Sequence, residues 1–68
     1  MDTLGERIKQ RRKSAGMTQE DLAYVAGVRL NAIVKLENDK TPNPHWLTIV
    51  GVARALELDL EELAESAA

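Results

Sequence analysis

Thr18-Gln19-Glu20-Asp21-Leu22-Ala23-Tyr24-Val25-Ala26-Gly27-Val28-Arg29-Leu30-Asn31-Ala32-Ile33-Val34-Lys35-Leu36-Glu37-Asn38 is the stretch whose reading decides the fold. Thr18 followed three residues later by Asp21 approximates a capping box, so a helix starts here with two acids in its first turn. Leu22, Ala23, Val25 and Ala26 carry that helix to Gly27. A second helix runs from about Arg29 to Asn38, with Ile33 and Leu36 as its inward pair. Two helices joined by three or four residues must cross at a steep angle. The close approach needs a small residue inside the first helix, and Ala23 supplies it. The sharp turn favours a residue free to adopt positive φ, and Gly27 supplies that. Val28 plugs the crossing, while Ile33 and Leu36 seat the second helix on the core.

Working outward, Leu4–Ser14 reads as a preceding helix with Leu4, Ile8 and the stems of Arg11 and Arg12 at helical spacing, stopped by Gly16. Asn38-Asp39-Lys40-Thr41-Pro42-Asn43-Pro44 is the one substantial loop, and its prolines prevent either neighbouring helix from running through. His45–Leu56 reads as a fourth helix, with Trp46, Ile49, Val52, Ala53 and Leu56 at core spacing. Asp59 caps a short fifth helix bearing Leu60 and Leu63. The fold expected is therefore all-α, a compact five-helix bundle with a helix-turn-helix motif at about residues 18–38. All 68 residues form a single domain, 1–68.

Composition narrows the chemistry. The absence of Cys excludes a disulfide framework and a thiolate metal site, and the single His disfavours a structural zinc site, so no metal or cofactor is expected. No apolar stretch approaches the ~20 residues that span a bilayer, and the first residues lack a signal-peptide pattern. The expected location is the cytoplasm, with no membrane partner. No nucleophile–base set, carboxylate pair or phosphate-cradling Gly-rich loop is present, so no enzyme is expected. The net charge is −2, but it is unevenly spread. Residues 1–40 carry eight Lys or Arg against six acids, a balance of +2; residues 41–68 carry one base against five acids, a balance of −4. One end permits a weakly basic, phosphate-facing side.

With these residues in view, the chain resembles the Cro/cI-type helix-turn-helix domains, the lambdoid phage repressor-like or XRE family. The resemblance runs through Leu4-Gly5-Glu6-Arg7-Ile8, Arg11 and Arg12, Met17–Ala23, Ala26-Gly27-Val28, Ile33, Leu36–Lys40, Pro44, Ala53, Ala55-Leu56, Leu60 and Leu63. It implies a transcriptional regulator, repressor-like, that binds double-stranded DNA as a homodimer. It further implies that Gln19 holds a phosphate and braces the recognition helix, and that Arg29, Leu30, Asn31 and Lys35 face base edges. Asn38 and Lys40 resemble phosphate contacts, and Arg12 with Glu37 resembles the family's structural ion pair. The chemistry agrees: Arg29 and Lys35 can donate to guanine O6 and N7, and Asn31 can pair with adenine. Thr41 joins Asn38 and Lys40 as a phosphate ligand that sets orientation without reading sequence. Arg11 is a further phosphate candidate, although Arg11-Arg12-Lys13 equally suits the negative end of a helix dipole.

Two features depart from the family pattern. Leu30 and Val34 lie at i, i+4 on a face expected to be polar, and Leu47, Val50 and Gly51 occupy commonly polar positions of the fourth helix. Three readings stay open. These residues touch thymine methyl groups, form an apolar interface for a protein partner or a second copy, or belong to a designed interface in which Gly51 admits another backbone or a ligand. The alternative function is accordingly a helix-turn-helix scaffold used for protein–protein interaction or homodimerisation.

Overall fold

A computed structural model describes residues 3–40, 44–59 and 61. The described residues form four helices and no strand: α1 (Leu4–Ser14), α2 (Gln19–Ala26), α3 (Leu30–Glu37) and α4 (Trp46–Leu56). The expected count of five is not supported. Leu60 and Leu63 of the anticipated fifth helix lie outside the described residues, as does Thr41 of the loop.

Several helix ends are set by local contacts. The Thr3 hydroxyl accepts from the Glu6 N–H at the head of α1, and Arg11, Arg12 and Lys13 crowd its last turn, where cations suit the helix dipole. Thr18 and Asp21 form a complete capping box on α2: the Thr18 hydroxyl accepts from Asp21 N–H, and the Asp21 carboxylate accepts from Thr18 N–H, both at 3.0 Å. Gly27 ends α2 with φ +72°, a left-handed conformation that glycine adopts without a Cβ penalty. Arg29 and Asn38 flank α3 as caps rather than belonging to it. His45 is likewise not the first residue of α4 but its N-cap, its Nδ1 accepting from Leu47 N–H at 3.2 Å.

The core is built from Ile8, Leu22, Ala23, Ile33, Leu36, Ile49, Val52, Ala53 and Leu56, with Leu4, Met17, Ala26, Val28, Ala55 and Leu58 packed around it. α2 packs on α3 and α4, and α1 on α3 and α4. Two glycines set how closely the helices approach. A Cβ on Gly51 would lie 2.5 Å from the Ala26 carbonyl oxygen, so α4 presses on the end of α2. A Cβ on Gly5 would lie 2.5 Å from the Leu36 carbonyl oxygen, so the start of α1 abuts the end of α3. Gly51 therefore does admit another backbone, but that backbone belongs to this chain.

Trp46 corrects another expectation. It is 63% exposed rather than part of the core. Ile49, Val52, Ala53 and Leu56 define the buried stripe of α4, and Trp46 falls at its edge, one turn before the first of them. Val25 is 61% exposed on the outer side of α2. No described helix is long and apolar enough to cross a membrane.

Candidate functional site

The residues expected to act together sit on and around α3. Its inner side is committed, since Ile33 and Leu36 are buried in the core. Arg29 at its N-cap and Leu30, Asn31 and Lys35 within it are all exposed, with Ala32 and Val34 half-buried between them. Asn38 and Lys40 follow, also exposed. The Asn38 side-chain amide donates to the Val34 carbonyl at 2.9 Å and so tightens the end of the helix.

A buried polar brace fixes the orientation of this surface. Arg12 reaches from α1 and grips Glu37 at the end of α3 with two parallel bonds, Nε to Oε2 at 2.7 Å and Nη2 to Oε1 at 3.0 Å. The same guanidinium donates through Nη1 to the Met17 carbonyl at 2.8 Å, just before α2. Gln19, first residue of α2, donates from Nε2 to Glu37 Oε1 at 3.2 Å. One carboxylate thus ties the start of α2 to the end of α3, with α1 behind both. The Arg12 and Glu37 side chains retain only 9% and 2% of their exposure, so the pair is desolvated and geometrically specific.

A second carboxylate, absent from the sequence-based set, joins α1 to the α3 exit. Asp39 accepts from the Gly5 N–H at 3.0 Å and from the Thr3 hydroxyl at 2.6 Å, capping α1 from 34 to 36 residues away. It holds a left-handed φ of +56° to do so. The only sequence signal was Asp in a turn-rich segment, a type that tolerates this conformation. Its partner could not be read from spacing.

The remaining site residues divide. Arg11 donates from Nε to the Leu56 carbonyl at 3.1 Å, so its guanidinium serves the C-terminus of α4. Leu30 is 41% exposed and shares a shallow notch with Thr18, Gln19 and Glu20 at the head of α2. Asn31 and Lys35 line a different notch, with Pro44, His45 and Thr48 at the head of α4. Leu47 is 70% exposed and Val50 half-buried on α4, beside the exposed Trp46.

A tight helix pair with the second helix presented and braced from behind is now defined in atoms, and comparison with known proteins gives it a place. The family model described as a helix-turn-helix domain matches residues 3–66. The chain belongs to the helix-turn-helix domain family. Among similar proteins, an HTH-type transcriptional regulator of Archaeoglobus fulgidus is 42% identical over 57 residues, covering 84% of this chain and 80% of that protein. The N-terminal DNA-binding domain of SinR from Bacillus subtilis superposes with a TM-score of 0.84 at 31% identity, over 90% of this chain and 88% of that one. A structure of SinR, the master regulator for biofilm formation, in complex with DNA matches with a TM-score of 0.85, also at 31% identity, over 91% and 98% of the two chains.

Proposed function

We propose that this chain is the double-stranded-DNA-binding domain of a transcriptional regulator, with α3 as the recognition helix in the major groove. One observation carries the reading. Arg29 at the N-cap of α3 and Asn31 and Lys35 on its exposed side are all open to solvent, and the Arg12–Glu37–Gln19 brace ties the end of α3 to α1 and to the start of α2. Its membership of the helix-turn-helix family and its likeness to SinR, which is solved in complex with DNA, support the same reading.

In detail, Arg29 and Lys35 donate to guanine O6 and N7, and Asn31 pairs with adenine N6 and N7. Asn38, Lys40 and Thr41 contact phosphates, with Gln19 at the start of α2, and fix register rather than sequence. The proposed action is repressor-like, in the cytoplasm. Selection from a random duplex library at physiological salt tests this directly. An enriched motif with two related half-sites is expected; recovery of unrelated sequences after several rounds contradicts sequence-specific binding.

A second reading has its own observation. Trp46 and Leu47, adjacent on α4, are 63% and 70% exposed, and Val50 lies on the following turn. Exposed apolar side chains grouped in this way suit an interface, and we propose that α4 contributes to a homodimer. Sedimentation equilibrium over a range of concentrations tests it. Leu47→Glu should shift the monomer–dimer balance towards monomer, whereas an unchanged profile, or a wild type that stays monomeric throughout, rules the interface out.

A further inference from the structure

The outward side of α3 carries two chemistries, and Leu30 on the one hand and Asn31 with Lys35 on the other border different notches. Leu30 and Val34 are one turn apart and form an apolar stripe. Leu30 opens onto the notch it shares with Thr18, Gln19 and Glu20, on the flank towards α2. Asn31 and Lys35, also one turn apart, form a polar stripe whose notch includes Pro44, His45 and Thr48, on the flank towards α4. The two sets of lining residues have no member in common.

We infer that the apolar stripe is a specificity element, with Leu30 receiving the C5 methyl group of a pyrimidine while the polar stripe reads purine edges. This rests on the proposed binding of α3 in the major groove. In that groove a pyrimidine C5 methyl is the one apolar group a base pair offers. A single leucine 41% exposed, followed by a half-buried valine, matches such a group in size. It is far smaller than the ~800 Å² that each partner of a stable protein interface contributes. The notch of about 290 Å³ beside Leu30 is open, which suits a group presented from outside on a duplex rather than an enclosed small molecule. Two bases present this chemistry, thymine and 5-methylcytosine, and both place the methyl at the same point of the groove.

The test removes or adds only that methyl. Each thymine of the duplex recovered by selection is replaced in turn by deoxyuridine, and binding is measured by fluorescence anisotropy. At one step per half-site the Kd should rise roughly fourfold, the change that matches about 0.8 kcal/mol for one buried methylene-sized group. Leu30→Ala should abolish that rise, because it no longer covers the methyl, whereas Asn31→Ala should keep it. In the second arm, cytosines are replaced by 5-methylcytosine. If the methyl belongs to modified cytosine, affinity rises about fourfold at one step for the wild type and not for Leu30→Ala, and deoxyuridine has no effect. The inference fails if neither substitution changes Kd, or if the methyl dependence survives unchanged in Leu30→Ala. Absence of any sequence-dependent binding instead overturns the major-groove reading itself. Because the methyl is removed from the DNA, the first comparison does not depend on how a variant folds.

Discussion

At the scale of single residues, Gly51 shows how position overrides propensity. Glycine inside a helix normally costs roughly 1 kcal/mol relative to alanine, so Gly51→Ala would stabilise an isolated α4. Here the added Cβ meets the Ala26 carbonyl oxygen at 2.5 Å, a backbone atom that cannot rotate aside. Gly51→Ala should therefore destabilise the domain, by about 1–3 kcal/mol, the usual penalty for overpacking. Urea denaturation reads the sign, and a stabilised variant would refute the close approach. Asp21 offers a pH-resolved counterpart. Thr18 N–H, and then the Thr18 hydroxyl, hold its carboxyl below the ordinary value of 3.8. A lowered folded-state value means that the contribution is present above the ordinary carboxylate range and is lost as pH falls through the folded value. The difference in melting temperature between wild type and Asp21→Ala should accordingly be steady near neutrality and close in strong acid. A difference that stays constant throughout would show that the carboxylate does not act through its charge.

At the scale of elements, the helices were largely legible in the sequence, because caps and periodicity are local. Thr18 with Asp21, Gly16 and Gly27 mark boundaries that the backbone honours. What was not legible depends on where elements meet. Trp46 has the spacing of a core residue, but only the packed assembly determines which turn of α4 the core covers. Asp39 caps a helix more than thirty residues away, and nothing in its neighbourhood announces that partner. Of the candidate site, the α3 side chains were readable as one face of a helix. Their division between the α2 and α4 flanks was not, since both flanks are tertiary. The brace allows a prediction at this scale. Arg12→Met or Glu37→Leu alone leaves a buried charge unpaired and should cost about 3–5 kcal/mol. The double variant, which buries no charge, should recover most of that loss in thermal denaturation. Additive losses would mean that the pair is not coupled as the geometry indicates. DNA binding by the double variant should still be weakened, because Gln19 loses its tie to α3.

At the scale of the whole molecule, size and charge constrain how the domain works. The described residues measure 27 × 21 × 18 Å, less than the ~34 Å that separates half-sites one helical turn apart. On the proposed reading a single copy would reach one half-site, and an operator with two half-sites would take two copies. The net charge of −2 leaves little non-specific attraction to a polyanion. On the proposed reading, affinity would rest on a few placed cations and on base contacts, which favours a high ratio of specific to non-specific binding. The most direct test compares Kd for the selected duplex and for a scrambled duplex of equal length, using wild type and the Arg29→Ala, Lys35→Ala double variant. The account predicts at least about a thousandfold preference in the wild type, the lower end for specific binders. It also predicts a large fall in that preference for the variant, with affinity for the scrambled duplex much less affected. Equal affinity of the wild type for both duplexes, or a variant that discriminates as well as the wild type, would contradict recognition through α3.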